Sequence, residues 1–205
     1  LLVHRFLTIQ ARGQGLVEFA LVFPLFIFMV LGLIEFAFVF NAVLALDNAS
    51  RNAALLAAEA GSSPGADCVI LEQVLDDVGA PADSARVSRV TIFWSDQNGQ
   101  PKAGGGTVFQ TVYDRGGTTT CTFPDNTSLT VPFRLVQDNY PVASRCNFLG
   151  GCGGNHPTLD IVGVKVTYQY VWKTPVNLSW LTQLAYGGPT LTIERSDAMR
   201  MEPVL

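Results

Sequence analysis

Few side chains in this chain are of a type and spacing to do chemistry. Its two histidines are His4, near the start, and His156, inside the turn-forming run Gly153-Gly154-Asn155-His156-Pro157. A hydrolytic triad or a metal site would have to be assembled around His156 alone, and a solvated loop histidine is the simpler reading. The spacings of a nucleophile elbow, a zinc-protease helix, a phosphate-binding loop and a dinucleotide fingerprint do not occur. Glycine clusters at 104–106, 116–117 and 150–154 fall between strand-like runs, where they make loops and not phosphate cradles. Asp76, Asp77 and Asp83 read as a polar helix face and its cap. Tyr168, Tyr170, Trp172 and Trp180 could present an aromatic surface to a glycan or a partner, but core packing accounts for them more simply. Asn126-Thr127-Ser128 and Asn177-Leu178-Ser179 fit the glycosylation sequon, a pattern short enough to arise by chance. The expectation is a protein with no catalytic residues, no metal and no cofactor.

One acid stands out by its surroundings. Glu18 follows a short polar leader carrying His4, Arg5 and Arg12, and from Phe19 to Ile34 no residue carries a charge. An ionised side chain at mid-bilayer costs about 2.5–3.5 kcal/mol, so an acid at the edge of a membrane-length run is either functional or held at the interface. Glu35 is the next charge along the chain.

The four cysteines, Cys68, Cys121, Cys146 and Cys152, all lie beyond the apolar run. An even count in a loop-rich region favours disulfides and an oxidising compartment. Close pairs with zinc-ligand spacing are missing. Three pairings are possible. We favour Cys146–Cys152, closing a small Gly-rich loop, and Cys68–Cys121, tying a second helix to the sheet.

The elements that must carry these residues fall into three parts. Residues 1–13 read as a cytoplasmic leader, too polar to join the span. Residues 14–60 read as one long hydrophobic helix, ending at Gly61 and Pro64. Such a rod is roughly 70 Å long where a bilayer core needs about 30 Å, so its first half spans and its second half projects. Pro24, inside it, removes one backbone hydrogen bond and is expected to bend it. Residues 61–205 read as an extracytoplasmic α+β head. It opens with a short helix, Ala66–Val78, whose Val69, Ile70, Val74 and Leu75 form the apolar face. Strands are expected at Val87–Ser95, Thr107–Tyr113, Ser128–Val136, Ile161–Trp172 and Pro189–Arg195, in an antiparallel sheet behind the helices. Val176–Tyr186 reads as a short helix or amphipathic loop. A net charge of −4 without a basic stripe excludes nucleic acid as a partner.

The N-terminal residues have a recognisable order. A basic leader ends in Gly13, Glu18 is the fifth residue after it, and the apolar helix starts at once. This resembles the signal read by prepilin peptidases, with cleavage between Gly13 and Gln14. The run from Arg12-Gly13 through Val17-Glu18-Phe19-Ala20-Leu21-Val22 to Pro24-Leu25 is similar to the opening of the TadE-like pseudopilins of tight-adherence (Tad/Flp) pilus systems. Leu31-Gly32-Leu33-Ile34-Glu35-Phe36 and Asn48-Ala49-Ser50-Arg51-Asn52-Ala53-Ala54 match two further segments of that family. Towards the end, Val164–Tyr170 and the run from Leu191-Thr192 to Ala198-Met199-Arg200-Met201-Glu202 match its closing strands. The middle of the chain shows no resemblance. Phe38 stands where the family often has a base, which leaves Glu35 without that local partner.

The resemblance implies a minor pilin in a bacterial membrane, single-pass with its head outside, consistent with Arg5 and Arg12 on the cytoplasmic side. It implies other pilin subunits, the Tad assembly machinery, prepilin peptidase and membrane lipid as partners, and a part in pilus assembly and adhesion. Glu18 would be the assembly contact, pairing with the new Gln14 ammonium and fixing axial register. Two other roles fit the residues: an uncleaved, membrane-anchored binding module, and a secreted enzyme released after Val43-Leu44-Ala45. The mature N-terminus separates them: Gln14, residue 1 or Leu46.

Overall fold

The computed structural model describes residues 3–154, 156–173 and 190–203, with side chains from Gly15 onward. A single helix, α1 (Val3–Ala60), runs without interruption through Pro24. It therefore begins before Gln14: the leader supplies the helix formers Arg5, Leu7, Gln10, Ala11 and Arg12 and has no proline to stop it. Its far end closes at Gly61, whose φ of 55° takes the left-handed conformation and whose N–H bonds Ala57 O.

The helix divides by exposure. From Gly15 to Met29 every residue is exposed, on all faces. Thereafter one stripe sinks into the head: Glu35, Ala42, Leu46, Ala49, Ala53 and Ala57 are buried, recurring at three, four or seven residues. The second half of the rod does not project freely. It is the spine of the head, and its small alanines let the neighbouring elements approach closely.

Helix α2 (Ala66–Asp77) packs against this spine. Its buried residues are Ala66, Asp67, Cys68, Ile70, Leu71 and Val74. The apolar face thus runs through Leu71, not Val69 and Leu75, which stay half-buried. The turn is rotated because Cys68 faces the sheet and carries Asp67 inward with it.

Strands β1 (Val87–Ser95), β4 (Gln110–Thr122), β5 (Ser128–Asp138), β6 (Ile161–Tyr170) and β7 (Leu191–Arg200) form one antiparallel sheet in the order β5-β4-β1-β6-β7. A small hairpin, β2 (Ala103–Gly104) with β3 (Thr107–Val108), lies outside it. The expected second strand is therefore split, with Phe109 between its two pieces. Pro132 is accommodated because β5 is an edge, where a missing N–H breaks no ladder. The fold is α+β. Strand β6 alternates cleanly: Val162, Val164, Val166, Tyr168 and Tyr170 face the helices and are buried. Opposite Phe93 in β1 the sheet carries Gly163, and a Cβ there would meet the Phe93 ring at 2.2 Å. Cys68 is joined to Cys121 and Cys146 to Cys152. The expected element at Val176–Tyr186 lies outside the described residues.

Candidate functional site

The expected site residues do not converge on one pocket. Gly13 and Gln14 lie in the backbone of α1, and Glu18 and Pro24 sit one and three turns further on, both exposed. Around them Leu16, Phe19, Leu21, Val22, Leu25 and Phe28 are bare of head contacts. A helix apolar on every side cannot be covered by one neighbouring element and calls for lipid or a surrounding bundle. Gly15–Ile34 would cover roughly 30 Å, one bilayer core. Among the described residues one helix, Gly15–Ala60, is long and apolar enough to cross a membrane.

The exposed stretch ends at a polar lock. Glu35 is only 1% exposed. Its Oε1 accepts from the Tyr170 hydroxyl at 2.5 Å and from the Lys173 backbone N–H at 3.0 Å. Tyr170 sits edge-on to Trp172, with ring centroids 5.8 Å apart. Burial, and then the Glu35 carboxylate, hold the Tyr170 phenol above its ordinary pKa. Glu35 thus finds its partners on the last residues of β6 and just beyond, across 135 residues of sequence. The signal was present in two places: Glu35 lies seven residues before Ala42 on the same helical face, and Tyr170 ends an alternating strand.

At the other end of the head lies a buried polar cluster. Asp67 on α2 pairs with Arg145 at 2.6 Å and accepts from Tyr113 at 2.7 Å. Asp160 accepts from the Tyr140 hydroxyl at 2.8 Å and the Cys146 N–H at 3.0 Å, and lies 2.7 Å from His156 Nδ1. Burial, reinforced by the adjacent carboxylates, pushes the Tyr113 and Tyr140 phenols above their ordinary pKa. His156 is not the solvated loop residue expected. It stacks on Trp94, with ring centroids 4.3 Å apart. The chain is folded back over β1 by the Cys146–Cys152 bridge, by the Cys152 N–H bond to His156 O, and by Gly151, where a Cβ would strike Pro157 backbone at 2.5 Å. Spacing gives no warning of this cluster, because its members come from α2, β4, the turn after β5 and the loop before β6.

The cluster has the chemistry of a scaffold. Asp67 is held between Arg145 and Tyr113, and Asp160 between Tyr140, the Cys146 N–H and His156, so the two carboxylates tie four elements together. Among the described residues no group of three or more His, Cys, Asp or Glu could hold a metal ion. On the open face of the sheet a polar cleft of about 340 Å³ is lined by Ser88, Arg89, Asp114, Arg115, Thr167 and Glu194. The Arg89–Asp114 pair at 2.6 Å spans it, and the Arg89 hydrogen bond holds the Asp114 carboxyl below its ordinary pKa.

A membrane-length apolar helix, exposed in its first half and buried along one stripe in its second, defines a class: an α+β head built on its own anchor. Within that class, residues 13–55 match the family model of TadE-like protein, and over those residues this chain carries the TadE-like segment. The match covers the exposed span, Glu18, Pro24, Glu35 and most of the spine, and leaves the sheet outside. No curated protein and no solved structure matches the chain.

Proposed function

We propose that this protein is a TadE-like minor pilin, held in a bacterial membrane by the Gly15–Ile34 stretch with its head on the outer side, and taking part in assembly of a Tad-type pilus and so in adhesion. The carrying observation is that the family match takes in the whole apolar stretch of α1 that the head leaves uncovered, with Glu18 near its start. In this reading prepilin peptidase cuts between Gly13 and Gln14. Glu18 then enters an apolar bundle of neighbouring helices, where pairing with a Gln14 ammonium offsets part of its desolvation and fixes register. Two disulfides in the head fit export to an oxidising compartment. The partners are other pilins, the assembly machinery, the peptidase and lipid.

The packing speaks against release as a secreted enzyme. Cleavage after Ala45 would remove Glu35 and Ala42 from the buried stripe and start the chain at Leu46, a fully buried residue.

The deciding experiment is Glu18→Ala in the native host. Membrane insertion should be retained while pilus assembly or incorporation falls. Normal piliation with the variant as the sole copy would sink the assembly role.

A further inference from the structure

The polar cleft on the open face of the sheet stands at a defined height above the membrane span. Strands β6 and β7 climb alongside α1: Tyr170 bonds Glu35, Arg195 pairs with Asp47 at 2.9 Å, and the Glu202 N–H bonds Ala58 O. The Tyr170 end of β6 is therefore the end of the sheet nearest the bilayer, level with the residue that follows the roughly 30 Å span. At about 3.4 Å per residue, Gln169 lies about 3 Å and Thr167 about 10 Å beyond Tyr170. Both line the cleft, whose volume is about 340 Å³. A headgroup layer is about 5–8 Å deep on each side of the hydrocarbon, so the cleft stands at headgroup height.

Its charges balance and are set apart. Arg89 and Asp114 neutralise each other in a two-point pair, at 2.6 and 3.1 Å. Arg115 on β4 and Glu194 on β7 belong to no ion pair among the described residues. The Arg115 guanidinium lies 5.2 Å over the Phe133 ring, and its Nη1 is buried without an acceptor. Glu194 accepts one hydrogen bond, from the Thr167 hydroxyl at 3.1 Å. Strands β4 and β7 are three spacings apart in the sheet, about 14 Å of backbone, yet both side chains line the one cleft.

We propose that this cleft holds the headgroup of a phosphatidylethanolamine from the membrane that anchors the chain, with the phosphate at Arg115 and the ammonium at Glu194. A zwitterion suits a cleft with one unpaired charge of each sign at opposite ends. Phosphatidylglycerol brings no positive charge to Glu194. The quaternary ammonium of phosphatidylcholine brings the charge but no N–H to donate, and a charge-assisted hydrogen bond is the stronger contact. Height selects the lipid over a soluble ester of the same headgroup. The inference rests on the membrane anchor of the proposed function, and on neither the cleavage nor the pilus.

The test is native mass spectrometry of the full-length chain in detergent micelles supplied with phosphatidylethanolamine, phosphatidylcholine or phosphatidylglycerol of matched acyl chains. One phosphatidylethanolamine should be retained per chain, about tenfold or more tightly than either of the others. Glu194→Gln should abolish the preference over phosphatidylcholine, because the ammonium loses its counter-charge. Arg115→Gln should weaken both lipids about tenfold, and Arg115→Lys should do so less. Glu194 is exposed, so its variant keeps the fold and decides the matter even where Arg115→Gln disturbs Phe133. Equal retention of the three lipids overturns the proposal, as does a preference for phosphatidylglycerol or retention unchanged in both Glu194→Gln and Arg115→Gln. Glycerophosphoethanolamine, which has no acyl chains, should bind far more weakly; binding as tight as the lipid's would assign the cleft to a soluble ligand and overturn the proposal too. Carbonate extraction of host membranes scores the anchor separately. A chain that resists extraction but retains all three lipids equally loses the headgroup site alone, whereas a chain that washes off loses the anchor.

Discussion

The Glu35 carboxylate and the Tyr170 hydroxyl, 135 residues apart in sequence, meet inside the protein at 2.5 Å. Helix and sheet are thereby fixed to each other where the head stops and the bare helix begins. Tyr170→Phe would keep the ring's packing and remove one donor from a buried carboxylate, at a cost of about 1–3 kcal/mol. The expected result is a lower midpoint for thermal unfolding of the full chain in micelles, with the disulfides intact. An unchanged midpoint would show that Glu35 is satisfied without Tyr170.

Arg145 and Asp67 form the most buried ion pair of the head, at 2.6 Å, with the guanidinium also over the Tyr140 ring at 5.4 Å. Removing one partner strands the other charge away from water. Arg145→Ala should therefore destabilise by about 3–5 kcal/mol. Replacing both, as Arg145→Met with Asp67→Leu, should recover part of that loss, since neither charge of the pair remains while the Tyr113 hydroxyl loses its acceptor. Arg145→Met alone keeps the volume and still strands Asp67, so its denaturant unfolding beside the double variant distinguishes an ion-pair role from simple loss of volume.

Alkaline pH should weaken the head. Tyr113, Tyr140 and Tyr170 all have phenol pKa values raised above the ordinary 10.0, burial being the largest cause in each. Folding thus favours their protonated forms. Their contribution is fully present below the ordinary value and is lost as pH rises above it, because the unfolded chain then releases protons that the folded chain retains. Ultraviolet titration of tyrosinate should show these phenols ionising together with unfolding. Reversible ionisation of all tyrosines in the folded state would contradict the buried placement.

The anchor and sheet were legible for reasons that are local. The uncharged run Phe19–Ile34 and the alternation through Val162, Val164, Val166, Tyr168 and Tyr170 each declare a period, and each has its expected element. The Glu35 lock was half legible: the acid was conspicuous, but its partner is a backbone N–H and a hydroxyl brought in by the sheet. The Asp67–Arg145 and Asp160–Tyr140–His156 contacts were not legible at all, since no periodicity links residues that meet only through tertiary packing. His156 illustrates the limit. A histidine between glycines and a proline reads as exposed until a disulfide and a tight glycine turn close the loop over Trp94.

The two disulfides differ in what they constrain. Cys68–Cys121 closes a loop with a sequence separation of 53 and ties α2 to β4, whereas Cys146–Cys152 closes one of 6. In the chain-entropy account these are worth about 4 and about 2 kcal/mol. Cys68→Ser with Cys121→Ser should thus lower stability more than Cys146→Ser with Cys152→Ser. The short bridge also has a local role: its loss should release His156 from Trp94, seen as a change in Trp fluorescence, with a smaller fall in midpoint than loss of the long bridge gives. Non-reducing mass spectrometry of the exported protein should find both pairs, and four free thiols would refute the oxidising compartment.

Maturation is the step on which the pilin reading can be tested most directly. Gly13 and Gln14 lie within the continuous α1 helix, and a peptidase must draw the bond into an extended conformation to cut it. Glycine costs a helix about 1 kcal/mol relative to alanine, so Gly13 and Gly15 together make this turn easier to open than an alanine-containing turn would be. Gly15→Ala, which meets no atom within 4 Å and so disturbs no packing, should slow processing by about fivefold through helix stabilisation alone. Gly13→Leu should leave an unshifted precursor on a gel, by blocking the site itself. N-terminal sequencing of the wild-type protein from the host membrane should begin at Gln14. A start at Leu46, or equal processing of all three forms, would remove the peptidase from the account of this protein.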